Sequence, residues 1–173
     1  MKDLLIAFAA YNRDANAALR AILGKTPASV LGEDQGVYYK TILGTFEHVV
    51  GAEVNWLKRF GGYFEYPSLA KSPLIAADIA ETKRRIAADS AALFAVSAEA
   101  DELFVAFASE LKESQFGVRV GYKNAKGEEV ERVYWNCIFH ILNHGTHHRG
   151  EISALLDRKG VENDVSGFNK YTK

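Results

Sequence analysis

The sequence predicts an all-α protein, a four-helix bundle with a crossover connection, plus a small β-hairpin before the last helix. Three observations lead there. Apolar residues recur at helical spacing over four long stretches of the chain. The connection between the second and third stretches is about fifteen residues long and contains Pro67 and Pro73, which leaves room for a crossover. One further stretch alternates instead, with Val118, Val120 and Tyr122 separated by Arg119 and Gly121.

The elements follow in order. The first helix is expected over Lys2 to Leu23, stopped by Gly24 and Thr26-Pro27. Residues 25–36 contain two glycines and a proline and read as a loop. The second helix is expected from Tyr38 to Phe60, ended by Gly61-Gly62. The third is expected from Ala76 to Ser97, rich in the helix formers Ala, Lys and Arg. Asp101 to Lys112 carries a weaker pattern, compatible with a short extra helix. Phe116 to Val133 reads as the hairpin, with Asn124-Ala-Lys-Gly127 as its turn. The fourth helix is expected from Tyr134 to Lys159, closed by Gly160 with Arg158 and Lys159 in the last turn.

Composition sets the boundaries on function. The chain has 173 residues, read as one domain spanning 1–173, of which 48% are hydrophobic and 25% charged. Such a chain can bury a core, so disorder is excluded as its main state. A formal net charge of −1 gives no electrostatic reason to expect nucleic acid or an acidic membrane. The basic run Lys83-Arg84-Arg85 reads as solvated charge, without the interleaved aromatics of a nucleic-acid surface. The single Cys excludes an internal disulfide and every multi-Cys metal site. The apolar run Leu4 to Tyr11 is too short for a bilayer, which needs roughly 20 residues. It continues amphipathically through Ala15, Ala18, Leu19 and Ile22, so it reads as a domain helix rather than a signal peptide, and the cytoplasm is the expected compartment.

The unusual feature is where the five histidines lie: His48 alone, and His140, His144, His147 and His148 together on the last helix. Residues four apart share a helix face, so His140/His144 and His144/His148 can each aim two imidazoles at one ion. Helical phase separates the candidates. From the centre of the apolar face, His148 lies about 55° away, His144 about 95°, His140 about 135° and His147 about 155°. His144 and His148 are therefore the preferred pair. His140 and His147 read as partly exposed bystanders or as hydrogen-bonding neighbours of a ligand. His48 sits in a stripe of Thr41, Thr45, Ala52 and Asn55, which can line a cavity or simply form the wet side of its helix. Cys137 reads as core. Arg149 falls in the apolar sector and needs a carboxylate partner that the sequence does not name. Glu151 can accept a hydrogen bond from an imidazole or stand as an exposed helix charge, the second reading being slightly favoured.

The segment His140-Ile-Leu-Asn-His144-Gly-Thr-His-His148-Arg-Gly150-Glu-Ile152 resembles the motif of the DinB/YfiT-like superfamily of metalloenzymes. Thr45-Phe-Glu-His48-Val-Val resembles that family's second-helix motif, and the hairpin before the last helix fits as well. The terminal-helix motif is the specific one, while the order of elements supports it over essentially the whole chain. The resemblance implies a crossover bundle, often a homodimer, with a divalent metal ion held by His48, His144 and His148. Nickel or zinc is the ion it implies first, and iron suits imidazole ligands too. One position departs from the family, which often has Gln where this chain has Glu151.

Three neutral imidazoles with an open coordination position are the pattern of a catalytic site rather than a structural one. Relatives in the superfamily include enzymes that use low-molecular-weight thiols, so the leading expectation from the resemblance is a thiol-dependent S-transferase acting on a small electrophilic substrate. No catalytic residue beyond the ligands is assigned. The alternatives are a metal-dependent hydrolase with Glu151 as general base, and a non-enzymatic, stress-associated metal-binding bundle.

Overall fold

The structure is a computed structural model describing residues 1–124, 126–165 and 167–171. Among these residues, nine helical segments and two strands follow in order: α1 (Lys2–Leu23), α2 (Ala28–Leu31), α3 (Ile42–Tyr63), α4 (Pro67–Ala70), α5 (Pro73–Ala76), α6 (Ile79–Ala88), α7 (Ser90–Glu110), α8 (Glu113–Phe116), β1 (Arg119–Lys123), β2 (Glu129–Val133) and α9 (Tyr134–Arg158). A 3-10 turn at Phe168–Tyr171 packs back on α1. None of the helices among the described residues is long and apolar enough to cross a membrane.

The four long helices α1, α3, α7 and α9 form a ring in which α1 neighbours α7 and α9, and α3 neighbours the same two. Helix directions follow from which residues meet. Arg20 meets Ser97 while Arg13 meets Glu102, so α1 and α7 run antiparallel. His48 meets His144 while Tyr63 meets Tyr134, so α3 and α9 are antiparallel too. Phe46 meets Phe94 and Phe60 meets Phe107, so α3 and α7 run parallel. A parallel step between consecutive long helices requires the chain to return along the bundle. Residues 64–89, with α4, α5 and α6, make that crossover.

Local chemistry sets the ends of these helices. Thr41 is extended and its hydroxyl accepts from the Gly44 amide at 2.8 Å, so α3 starts at Ile42 rather than at Tyr38. The four residues ahead of Thr41 form a tight turn, with Lys40 at φ 68°. The expected third helix, Ala76 to Ser97, is two helices. Asp78 caps α6, and Asp89, at φ −149°, breaks the run and caps α7 through the amides of Ala91 and Ala92 at 3.0 and 3.2 Å. The true bundle helix therefore runs to Glu110, and the weakly patterned segment after Asp101 is mostly its second half. Its buried stripe is Leu93, Val96, Ala100, Phe104 and Phe107.

The hairpin pairs Arg119 with Val133 and Lys123 with Glu129. The turn is held by the Asn124 side chain, which accepts from the amides of Lys126 and Glu128, and by Gly127 at φ 79°. Ala125, the second residue of the expected turn, lies outside the described residues. The extra turn α8, unforeseen, precedes the hairpin. At the end of α9, Gly160 takes φ 69°, the Val161 amide bonds the Leu156 carbonyl, and the Gly160 amide bonds that of Asp157. That pair of bonds is the Schellman closure expected of a glycine just past a helix end.

Candidate metal centre

The antiparallel pairing of α3 and α9 brings the lone histidine of one helix against the paired histidines of the other. His48, His144 and His148 each offer a ring nitrogen within 4.8 Å of the others. The Nε2 atoms of His48 and His144 are 2.8 Å apart. Ring centroids lie 4.5 Å apart for His144 and His148, and 4.9 Å for His48 and His148. His148 is buried, and the other two are half-buried.

The surroundings orient these rings. His148 Nδ1 lies 2.8 Å from a Glu151 carboxylate oxygen, an i, i+3 contact on the same helix. A carboxylate cannot donate, so Nδ1 carries the hydrogen and Nε2 keeps a lone pair for a ligand site. Glu151, given above as slightly more plausibly an exposed charge, instead fixes a ring. His48 is stacked on Tyr39 at a centroid distance of 4.0 Å, and the Tyr39 hydroxyl is 2.9 Å from His48 Nε2. His144 Nδ1 is buried and has no hydrogen-bond partner among the described residues.

Burial and neighbouring charge keep two members of the cluster, His48 and His144, neutral. Burial, then the facing His148 and the nearby Lys83, lowers the His48 pKa to about 4. Burial, then His148 and His48, lowers that of His144 to about 3. At neutral pH these two imidazoles therefore hold lone pairs rather than charge, the state a metal requires.

The donor set fits a divalent ion of the transition series. A tetrahedral site with bonds of about 2.0–2.1 Å separates its donors by roughly 3.3 Å. The His48–His144 contact of 2.8 Å is short of that by about half an ångström, within reach of small χ rotations.

Of the remaining histidines, His147 is exposed and forms, with His148 and Glu151, a second group whose ligand atoms lie within 4.8 Å. His140 is exposed, 6.2 Å from the His144 ring and 5.8 Å from that of Trp56. Cys137 is buried, and burial raises its thiol pKa, as for a core residue. The small stripe of α3 does line space: His48, Ala52 and Asn55 border two adjoining cavities of about 480 and 390 Å³. The sequence reading missed Tyr39, which reaches the site from the loop before α3. Only its position two residues ahead of a Thr cap hinted at it.

Directly behind the centre lies a buried polar network. Arg149, beside His148 and 1% exposed, donates to Asn12 at 2.6 Å, to Asn16 at 2.9 Å and to Thr146 at 3.1 Å. Asn16 donates to Asp101 at 2.7 Å, and Arg20 pairs with Asp101 at 2.5 Å. Asn12 donates to Glu53 at 3.4 Å. Arg149 thus reaches its carboxylates through two asparagines rather than directly. Gly145 makes room for this: a Cβ there would lie 2.9 Å from Asn12 Oδ1 and 3.1 Å from Arg149 Nη1. Burial and the neighbouring Asp101 push the Glu53 carboxyl well above the usual carboxylate range.

Fold and site together define a crossover helical bundle with a three-histidine cluster between two of its long helices. The model of the DinB family matches residues 1–171, and the chain belongs to that family. It is also similar to "Protein DinB" of Bacillus subtilis (strain 168), 22% identical over 172 residues that cover 99% of this chain and 95% of that one. No solved structure matches the chain significantly.

Proposed function

We propose that this DinB-family protein is a divalent-metal-dependent enzyme, with His48, His144 and His148 as the ligands and a low-molecular-weight thiol as one substrate. The observation that carries this reading is the convergence of three imidazoles, two of which, His48 and His144, are held neutral and border an open cavity. Three protein ligands leave a position for a substrate. When bound, the ion would supply Lewis acidity that activates a thiol, or a water, near neutral pH. Glu151 would hold His148 in the tautomer that presents Nε2, and Tyr39 would pack His48 in place. Nickel and zinc both accept such a donor set, and iron does as well. A homodimer, a cytoplasmic setting and a single domain over residues 1–173 belong to the same proposal, on the family resemblance and the length.

The test is consumption of a small electrophile by metal-loaded protein across several thiols. Thiol-dependent turnover that disappears in His144→Ala is the expected result, and no turnover with any thiol would overturn the transferase reading. The hydrolase alternative needs Glu151 free to act as a base. Its hydrogen bond to His148 favours an orienting role. Glu151→Gln is then expected to weaken metal affinity by about 10–100-fold and to leave turnover measurable at saturating metal. A non-enzymatic metal-binding bundle would bind the ion and show neither activity.

A further inference from the structure

The two cavities bordered by the metal centre share His48, Ala52, Asn55 and Lys83, so they form one channel along α3. Its polarity changes along its length. The end near Tyr39 holds one acid, Glu47. The other end, of about 390 Å³, is bordered by Arg59, Lys83, Trp56, Tyr122 and His140 and by no carboxylate among the described residues. Both cations there are unpaired: neither Arg59 nor Lys83 has a carboxylate partner among the described residues.

Arg59 is also held in place. Its guanidinium lies 4.8 Å from the Trp56 ring and 4.9 Å from the Tyr122 ring, and donates to the Lys123 carbonyl at 2.8 Å. A guanidinium stacked on aromatic rings keeps its fork available for an oxyanion and loses less freedom on binding one. The Asn55 amide, half-buried between Arg59 and His48 on the same helix, makes no hydrogen bond among the described residues. Asn55 and Arg59 follow His48 by seven and eleven residues, about 10 and 16 Å along the axis.

We propose that this channel binds an elongated anionic small molecule. Arg59 and Lys83 hold its oxyanion, a carboxylate or a phosphate, and its stem lies along Trp56 and His140. Its far end then reaches the three histidines. Only that last statement rests on the metal-centre reading.

The test measures binding by tryptophan fluorescence in a Trp135→Phe background, which leaves Trp56 as the reporter. The probes are hexanoate, hexyl phosphate and the neutral hexanol, each with chelator-treated and with metal-loaded protein. The anions are expected to bind and hexanol to bind at least about tenfold more weakly. Arg59→Gln and Lys83→Gln should each weaken the anions by about tenfold, as loss of one charge-assisted contact would, with circular dichroism and metal stoichiometry unchanged. The preferred anion identifies the oxyanion. Equal affinities in parent and variants, or equal affinity for hexanol, would overturn the proposal. A protein that binds the anions through Arg59 yet takes up no metal would sink the metal reading and leave this one standing. Normal metal uptake with Arg59-independent probe binding would do the reverse.

Discussion

Arg149→Met tests the buried network behind the candidate metal centre. Arg149 is among the largest fully buried side chains, and its guanidinium and that of Arg20 are the cations facing Asp101 and Glu53. Removing it deletes three hydrogen bonds, to Asn12, Asn16 and Thr146. It also leaves Asp101, 1% exposed, with Arg20 as its remaining cation. The buried amide oxygens of Asn12 and Asn16 lose their charged donor, at about 1–3 kcal/mol for each acceptor left unsatisfied, a large part of the roughly 5–15 kcal/mol that stabilises an ordinary domain. Met matches the stem of Arg, so packing loss adds little. Glu53→Gln supplies the contrast. Glu53 is held above the usual carboxylate range, so its folded state favours the neutral acid and Gln is close to isosteric with it. Its cost at pH 6 should be under about 1 kcal/mol. The sign with pH follows. A raised folded pKa costs the parent stability as pH rises from the unfolded value through the folded one, and Gln removes that loss. The variant should therefore gain on the parent between pH 6 and 9. Urea unfolding of chelator-treated protein measures all three. A cost below about 1 kcal/mol for Arg149→Met, or a Glu53→Gln difference that does not change with pH, would contradict this picture of the network.

Other expectations follow from single contacts. Gly145→Ala places a methyl 2.9 Å from Asn12 Oδ1 and should cost about 1–3 kcal/mol, read as a shift in urea midpoint; a neutral effect would mean that the network yields easily. Asp89→Ala removes both cap bonds of α7 and should cost about 1 kcal/mol by the same assay. In the metal-free protein, His48 and His144 titrate at about 4 and about 3 instead of the ordinary 6.5. Folding thus favours their neutral forms, the unfolded chain takes up protons first, and stability falls as pH drops below about 6.5. A His48→Ala, His144→Ala double variant should lose less stability than the parent between pH 7 and 5, and an identical pH profile would contradict this.

Much of this was legible in the sequence where the cause is local. Gly160 closes α9 and the Asn124–Gly127 turn closes the hairpin because both need backbone conformations that few residues adopt. The break at Asp89 was not legible. Ala, Lys and Arg favour helix on both sides of it, and an Asp on a helix surface looks ordinary until its side chain is seen capping two amides. The second half of α7 was underestimated for a related reason. Asp101 occupies a core position, so a charged residue that reads as surface interrupts the stripe, and its partner Arg20 lies 81 residues away. His144 and His148 were legible from phase alone, because i, i+4 spacing needs no tertiary information. His48 joined them through the family motif, and the structure places it there through α3–α9 packing. Tyr39, Arg59 and Lys83 converge on the channel only because the loop before α3, the hairpin and α6 fold over one face of α3. The run Lys83-Arg84-Arg85 therefore read as uniformly solvated, whereas Lys83 borders the channel.

Elemental analysis of purified protein, compared across single His→Ala variants, checks whether His48, His144 and His148 hold a metal ion. The expected result is one divalent transition-metal ion per chain, lost in the alanine variants of His48, His144 and His148 and retained in those of His140 and His147. No bound metal in the parent, or metal retained in His144→Ala, would contradict it.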